Sequence, residues 1–109
     1  MKTGKEIKDR MKELNVTSGE IAFDDGYCII LGKNVIIGKG VKFGNDIVIG
    51  SDVILDDGVV LGDCVILGSD VILCNNVKLG NYVVIGNGAK LGNGVVLDNN
   101  AILGSDVIL

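Results

Sequence analysis

Residues Leu31 to Leu109 read LGKNVI, IGKGVK, FGNDIV, IGSDVI, LDDGVV, LGDCVI, LGSDVI, LCNNVK, LGNYVV, IGNGAK, LGNGVV, LDNNAI, LGSDVI and a final Leu109, thirteen units of six without an insertion. The first position of every unit is Leu, Ile or Phe, and the fifth is Val, Ile or Ala. In an extended segment the fifth residue and the next unit's first lie two apart and point to the same side, so both face one interior. The third and fourth positions are polar or Gly, and the fourth is Asn, Asp or Gly in eleven of the thirteen units. Those residues tolerate left-handed backbone, which makes them corners. Only Cys64 and Tyr82 break the corner rule.

Composition agrees with stacked coils. The 109 residues are 48% hydrophobic yet carry four aromatics and no Trp, so the core is built from Ile, Val and Leu rather than from rings. Seventeen Gly and no Pro mean that turns are made repeatedly with positive-φ residues. The net charge of -4 is mild and the charges are interspersed, which excludes a basic stripe for nucleic acid. No apolar run reaches the roughly 18 residues needed to span a bilayer, so no membrane is expected as a partner. The opening MKTGKEIKDRMKEL lacks the apolar middle of a signal peptide, and a cytoplasmic location is expected. Cys28, Cys64 and Cys74 are odd in number, show no CxxC spacing and have no accompanying His, so they read as plain thiols.

Ahead of the repeat, Thr3 and Glu6 stand in capping-box spacing and Ile7, Met11 and Leu14 form one apolar stripe, which predicts a helix of about 12 residues. Asn15 to Asp24 is expected to be a connector. DGYCII at 25 to 30 fits weakly as a preceding unit, with Asp25 in the aliphatic slot. The expected organisation is therefore a helix and connector over 1–24 and a repeat domain over 25–109. The helix should either lie along one face of that domain or plug its first coil.

Residues 31 to 109 resemble the hexapeptide-repeat family: an aliphatic residue, Gly, two variable residues, a small or β-branched residue and one more. The resemblance implies an all-β solenoid, a left-handed parallel β-helix of triangular coils with three units to each 18-residue coil. Four to five coils stacked about 4.8 Å apart would give a body about 20 Å long. Residues 18 apart then lie above one another, which sorts the outward sixth positions onto three faces. One carries Val48, Ile66, Val84 and Ile102, with Gly as its other outward residues. A second carries Ile36, Ile54, Ile72, Lys90 and Ile108. The third mixes Lys42, Val60, Lys78 and Val96.

Two contiguous aliphatic columns exceed what a soluble monomer normally leaves in water, and one helix can shield only one of them. Val48, Ile66, Val84, Ile102, Ile36, Ile54 and Ile72 are therefore expected to form interfaces, in a homo-oligomer or with a protein partner. The resemblance implies a trimer of parallel prisms. Leu109 opens a new unit without a polar cap, so the sequence predicts either a truncated chain or open strand edges matched end to end by another chain.

Enzymes that resemble this chain are acyltransferases drawing on coenzyme A or acyl carrier protein, and their usual general base is a His at a coil edge. This sequence has no His, which also removes the zinc site of the related carbonic anhydrases. No catalytic residue, metal ligand or cofactor is assigned. Asp52, Asp56, Asp57, Asp63 and Asp70 are the carboxylates that a His-free enzyme could use, but corner Asp residues are first of all turn formers. Ser51-Asp52, Ser69-Asp70 and Ser105-Asp106 share one corner, where a hard cation is the alternative to repeated corner chemistry. A noncatalytic scaffold is the leading expectation, an acyltransferase-like protein or a fragment of one the second, and an idealised or engineered repeat the third.

Overall fold

A computed structural model describes residues 1–109. Strand β1 (Lys2–Thr3) leads into helix α1 (Gly4–Leu14), followed by β2 (Gly19–Ala22) and β3 (Cys28–Leu31). The repeat then supplies β4 (Ile36–Ile37), β5 (Lys42–Phe43), β6 (Ile47–Ile49), β7 (Ile54–Leu55), β8 (Val60–Leu61), β9 (Ile66–Leu67), β10 (Ile72–Leu73), β11 (Lys78–Leu79), β12 (Val84–Ile85), β13 (Lys90–Leu91), β14 (Val96–Leu97) and β15 (Ile102–Leu103). These form three sheets, ordered β1-β5-β8-β11-β14, β4-β7-β10-β13 and β2-β3-β6-β9-β12-β15. Among β3 to β15 every pairing is parallel and joins residues 18 apart, as in Val48 with Ile66 and Ile36 with Ile54. The chain is a parallel β-helix of about four coils, with the face columns in the register that the repeat predicts.

The first and fifth positions fill the interior. Val53, Val59, Val65, Val71, Val77 and Val83 are fully buried, alternating with Leu55, Leu61, Leu67 and Leu73, and no polar or charged residue is buried. Phe43 is the one aromatic among them.

The N-terminal segment closes one end of the prism. Thr3 Oγ1 accepts the Glu6 N–H and Glu6 Oε1 accepts the Thr3 N–H, both at 3.1 Å, which is the reciprocal cap that starts α1. Left-handed Asn15 ends the helix. Ile7 is fully buried and joins the core, Met11 is half-buried and Leu14 is 38% exposed, so the apolar stripe is used most fully at its start. The Gly4 N–H donates to the Val41 carbonyl at 2.9 Å, and the Lys8 ammonium donates to the Ile37 carbonyl at 3.0 Å. Of the two expected roles the helix takes that of plug and covers neither apolar face.

The expected connector is a strand over part of its length. Gly19–Ala22 pairs antiparallel with β3, placing Ile21 opposite Ile29 and fully burying it. The cause is the first coil's free edge, whose unpaired backbone groups need partners. β2 supplies them on one face, β1 pairs antiparallel with β5 on another, and α1 sits over the Ile37 end of the third.

All thirteen fourth positions have positive φ, from 58° at Asp46 to 76° at Gly58 and Gly88. Cys64 (φ 59°) and Tyr82 (φ 61°) obey the same geometry without the residue types that favour it. The corner N–H bonds to a third-position carbonyl one coil back, as Asp52 to Lys33 at 2.8 Å and Tyr82 to Asp63 at 2.8 Å. A left-handed conformation costs an ordinary L-residue roughly 1 kcal/mol that Asn largely avoids. Cys64→Asn is therefore expected to raise stability by about 1 kcal/mol, read as a higher urea midpoint at unchanged slope. A lower midpoint would mean that packing of the half-buried thiol outweighs the backbone strain.

Candidate functional site

Three of the five candidate carboxylates, Asp52, Asp57 and Asp63, accept hydrogen bonds within the chain. Asp57 Oδ1 accepts the Lys39 N–H and Asp63 Oδ1 accepts the Asn45 N–H, each at 2.8 Å. They belong to a ladder in which a third-position side chain satisfies the third-position N–H one coil earlier. Ser51 takes Lys33, Ser69 takes Ser51 and Asn87 takes Ser69 along one corner. Asn81 takes Asp63 and Asn99 takes Asn81 along another. Asp52 and Asp70 are left-handed corners, and Asp52 Oδ1 accepts from Asn34 Nδ2 at 3.3 Å. In the Ser-Asp column the Ser51 and Ser69 hydroxyls serve the ladder, and no three Cys, Asp or Glu side chains converge as possible metal ligands.

The three cysteines are free thiols. Burial pushes the Cys28 thiol above its ordinary pKa, and the nearby Glu20 carboxylate, 3.7 Å from Sγ, adds to the effect. That environment opposes thiolate formation and hence nucleophilic use. At the plugged end the Lys2 ammonium lies 4.7 Å from the centroid of the Phe23 ring and 5.1 Å from that of Tyr27, and pairs with Asp25 at 2.5 Å. The hydrogen bond between them raises Lys2 and lowers Asp25 from their usual values. This clasp fastens β1 to the turn before β3.

What remains is the pair of apolar faces. Along the first, Ile30, Val48, Ile66, Val84 and Ile102 stand in one column across five parallel strands; Ile66 is 45% and Ile102 75% exposed. Along the second run Ile36, which is 59% exposed, and half-buried Ile54 and Ile72, followed by Lys90 and Ile108. No element of the chain lies over either.

Cys64 and Tyr82 gain a meaning that their rule-breaking alone did not give. They lie 18 residues apart on the corner between the Lys42 face and the Val48 face, just before Ile66 and Val84 in the chain. Tyr82 is 60% exposed and extends the apolar surface round the edge. The left-handed backbone at both positions is the one every corner of the repeat adopts, and exposed Tyr is a residue type enriched at interfaces. The signal was the 18-residue spacing, which carries weight only once the coils are aligned.

Comparison with known proteins agrees with this geometry. The family model described as the GMPPB C-terminal domain matches residues 26–109. No curated protein matches the chain. Among solved structures, serine acetyltransferase isoform 3 from Entamoeba histolytica, crystallised in complex with cysteine, aligns with a TM-score of 0.59 and 20% identity over 98% of this chain. The chain spans 40% of the length of that structure, and the likeness is one of fold.

Proposed function

Because the chain belongs to the family of the GMPPB C-terminal domain, a left-handed β-helix domain of hexapeptide type, we propose that it is a noncatalytic assembly scaffold, a rigid prism that associates with copies of itself. The observation that carries this reading is the seat of α1. The helix plugs the end of the prism and leaves two adjacent aliphatic faces bare.

A face of roughly 20 Å by 20 Å covers about 400 Å², so one pair of faces buries about 800 Å² in all, short of the roughly 1,000 Å² a stable interface needs. Both faces must be used, each against a different neighbour. That favours a closed ring, with three parallel prisms the simplest, over a two-fold pair. Tyr82 and Cys64 would lie at the seam.

The test is solution mass by light scattering across a dilution series for the natural chain and for Ile66→Lys with Val84→Lys. A defined oligomer that falls to monomer in the variant is the expected result. A monomer at every concentration for the natural chain would overturn the self-association.

A second reading, acyl transfer, has the fold likeness to serine acetyltransferase behind it. Titration with coenzyme A separates the two: micromolar binding would replace the scaffold by an acyltransferase-like protein.

A further inference from the structure

Where α1 meets the first coil, an open cleft of about 730 Å³ runs along the plugged end. One wall is the helix side bearing Lys5, Lys8 and Lys12; the other includes Lys39, on the corner before left-handed Gly40. The chain has ten basic and fourteen acidic residues, yet this cleft gathers four lysines and only two acids, Asp9 and Asp57. Both acids are engaged. Asp57 Oδ1 holds the Lys39 N–H at 2.8 Å, and Asp9 pairs with Lys5 at 3.2 Å. Lys8 donates to the Ile37 carbonyl. Lys12 and Lys39 form no ion pair, and the four lysines that line the cleft outnumber its two carboxylates.

We infer that this cleft binds a small, multiply charged anion bearing phosphate groups, held directly by Lys12 and Lys39 and supported by Lys5 and Lys8. An excess of positive charge along one cleft of a net acidic chain focuses the local potential and concentrates anions there. Ammonium groups on flexible stems are point charges that meet a tetrahedral oxyanion from any side, so four lysines select for the dense charge of a phosphate chain rather than for fork geometry. Arg10, the chain's single arginine, is turned elsewhere, with Nε on the Ala22 carbonyl at 2.8 Å and its other nitrogens toward Glu13 and Asp24.

Calorimetric titration with tripolyphosphate at low ionic strength tests this, on the full chain, on Lys12→Gln with Lys39→Gln, and on Lys33→Gln, an exposed corner lysine outside the cleft. The natural chain should bind with one site. The double variant should bind about tenfold or more weakly, the loss of two partly solvated ion contacts, and Lys33→Gln should bind as the natural chain does. All the substituted side chains are exposed, and circular dichroism checks that the variants stay folded. No binding by the natural chain, equal weakening by Lys33→Gln, or preference for an oligoglutamate peptide over tripolyphosphate would each overturn the assignment.

Discussion

Phe43→Ala is expected to cost about 3–5 kcal/mol, measured by urea unfolding, while Phe43→Leu stays within about 1.5 kcal/mol. Phe43 is fully buried in the first coil, pairs across β1 with Lys2, and belongs to the same core as Ile7 of the plug. Its truncation leaves a void where three elements meet. Every other unit of the repeat carries Leu or Ile at this position, so Leu keeps the pattern and loses only ring volume. A loss under about 1 kcal/mol for the Ala variant would mean that the plug does not seal the first coil in solution.

The second large effect comes as a controlled pair. Gly68 and Gly104 occupy the same position of two identical units, LGSDVI. A Cβ on Gly68 would lie 2.8 Å from the Asn87 nitrogen and 3.0 Å from the Gly86 carbonyl carbon, and would also press on Asn87 Oδ1, which accepts the Ser69 N–H. A Cβ on Gly104 meets nothing within 4 Å, since no coil stacks beyond it. Gly68→Ala should therefore destabilise by about 1–3 kcal/mol, and Gly104→Ala should change stability by less than about 0.5 kcal/mol. Asp56 and Cys74 take the same position in another column, so the stack can shift to admit a side chain. That tolerance keeps the expected cost finite. Equal effects from the two substitutions would show that chain flexibility, and not the approach of the next coil, sets the need for glycine.

These contrasts mark where the sequence was informative. Strand, corner and face register were readable because a strict period of six fixes which residues stack, and the columns of Val48 and Ile36 followed by arithmetic. β2 escaped because GEIA has a single large apolar residue and becomes a strand only through the free edge of β3. The corner ladder escaped for another reason: Ser, Asn and Asp at third positions read locally as turn formers, while their bonds run to residues 18 back. The basic cleft was invisible while α1 could lie along a face or over the end. Lys12 and Lys39 are 27 residues apart, and only the seat of the helix brings them together.

The ladder has a kinetic corollary. Its bonds span 18 residues wherever they occur along the repeat, and the parallel pairings share that spacing. Closing one 18-residue loop is the slow step, and each further coil repeats the same closure on a template already formed. Contact distance along the chain stops growing after the first turn, so a prism twice as long would need no longer-range search to fold. Growth can start wherever one coil first closes. The plugged end, with Phe43, Ile7 and the Lys2 clasp, offers extra partners for that first closure.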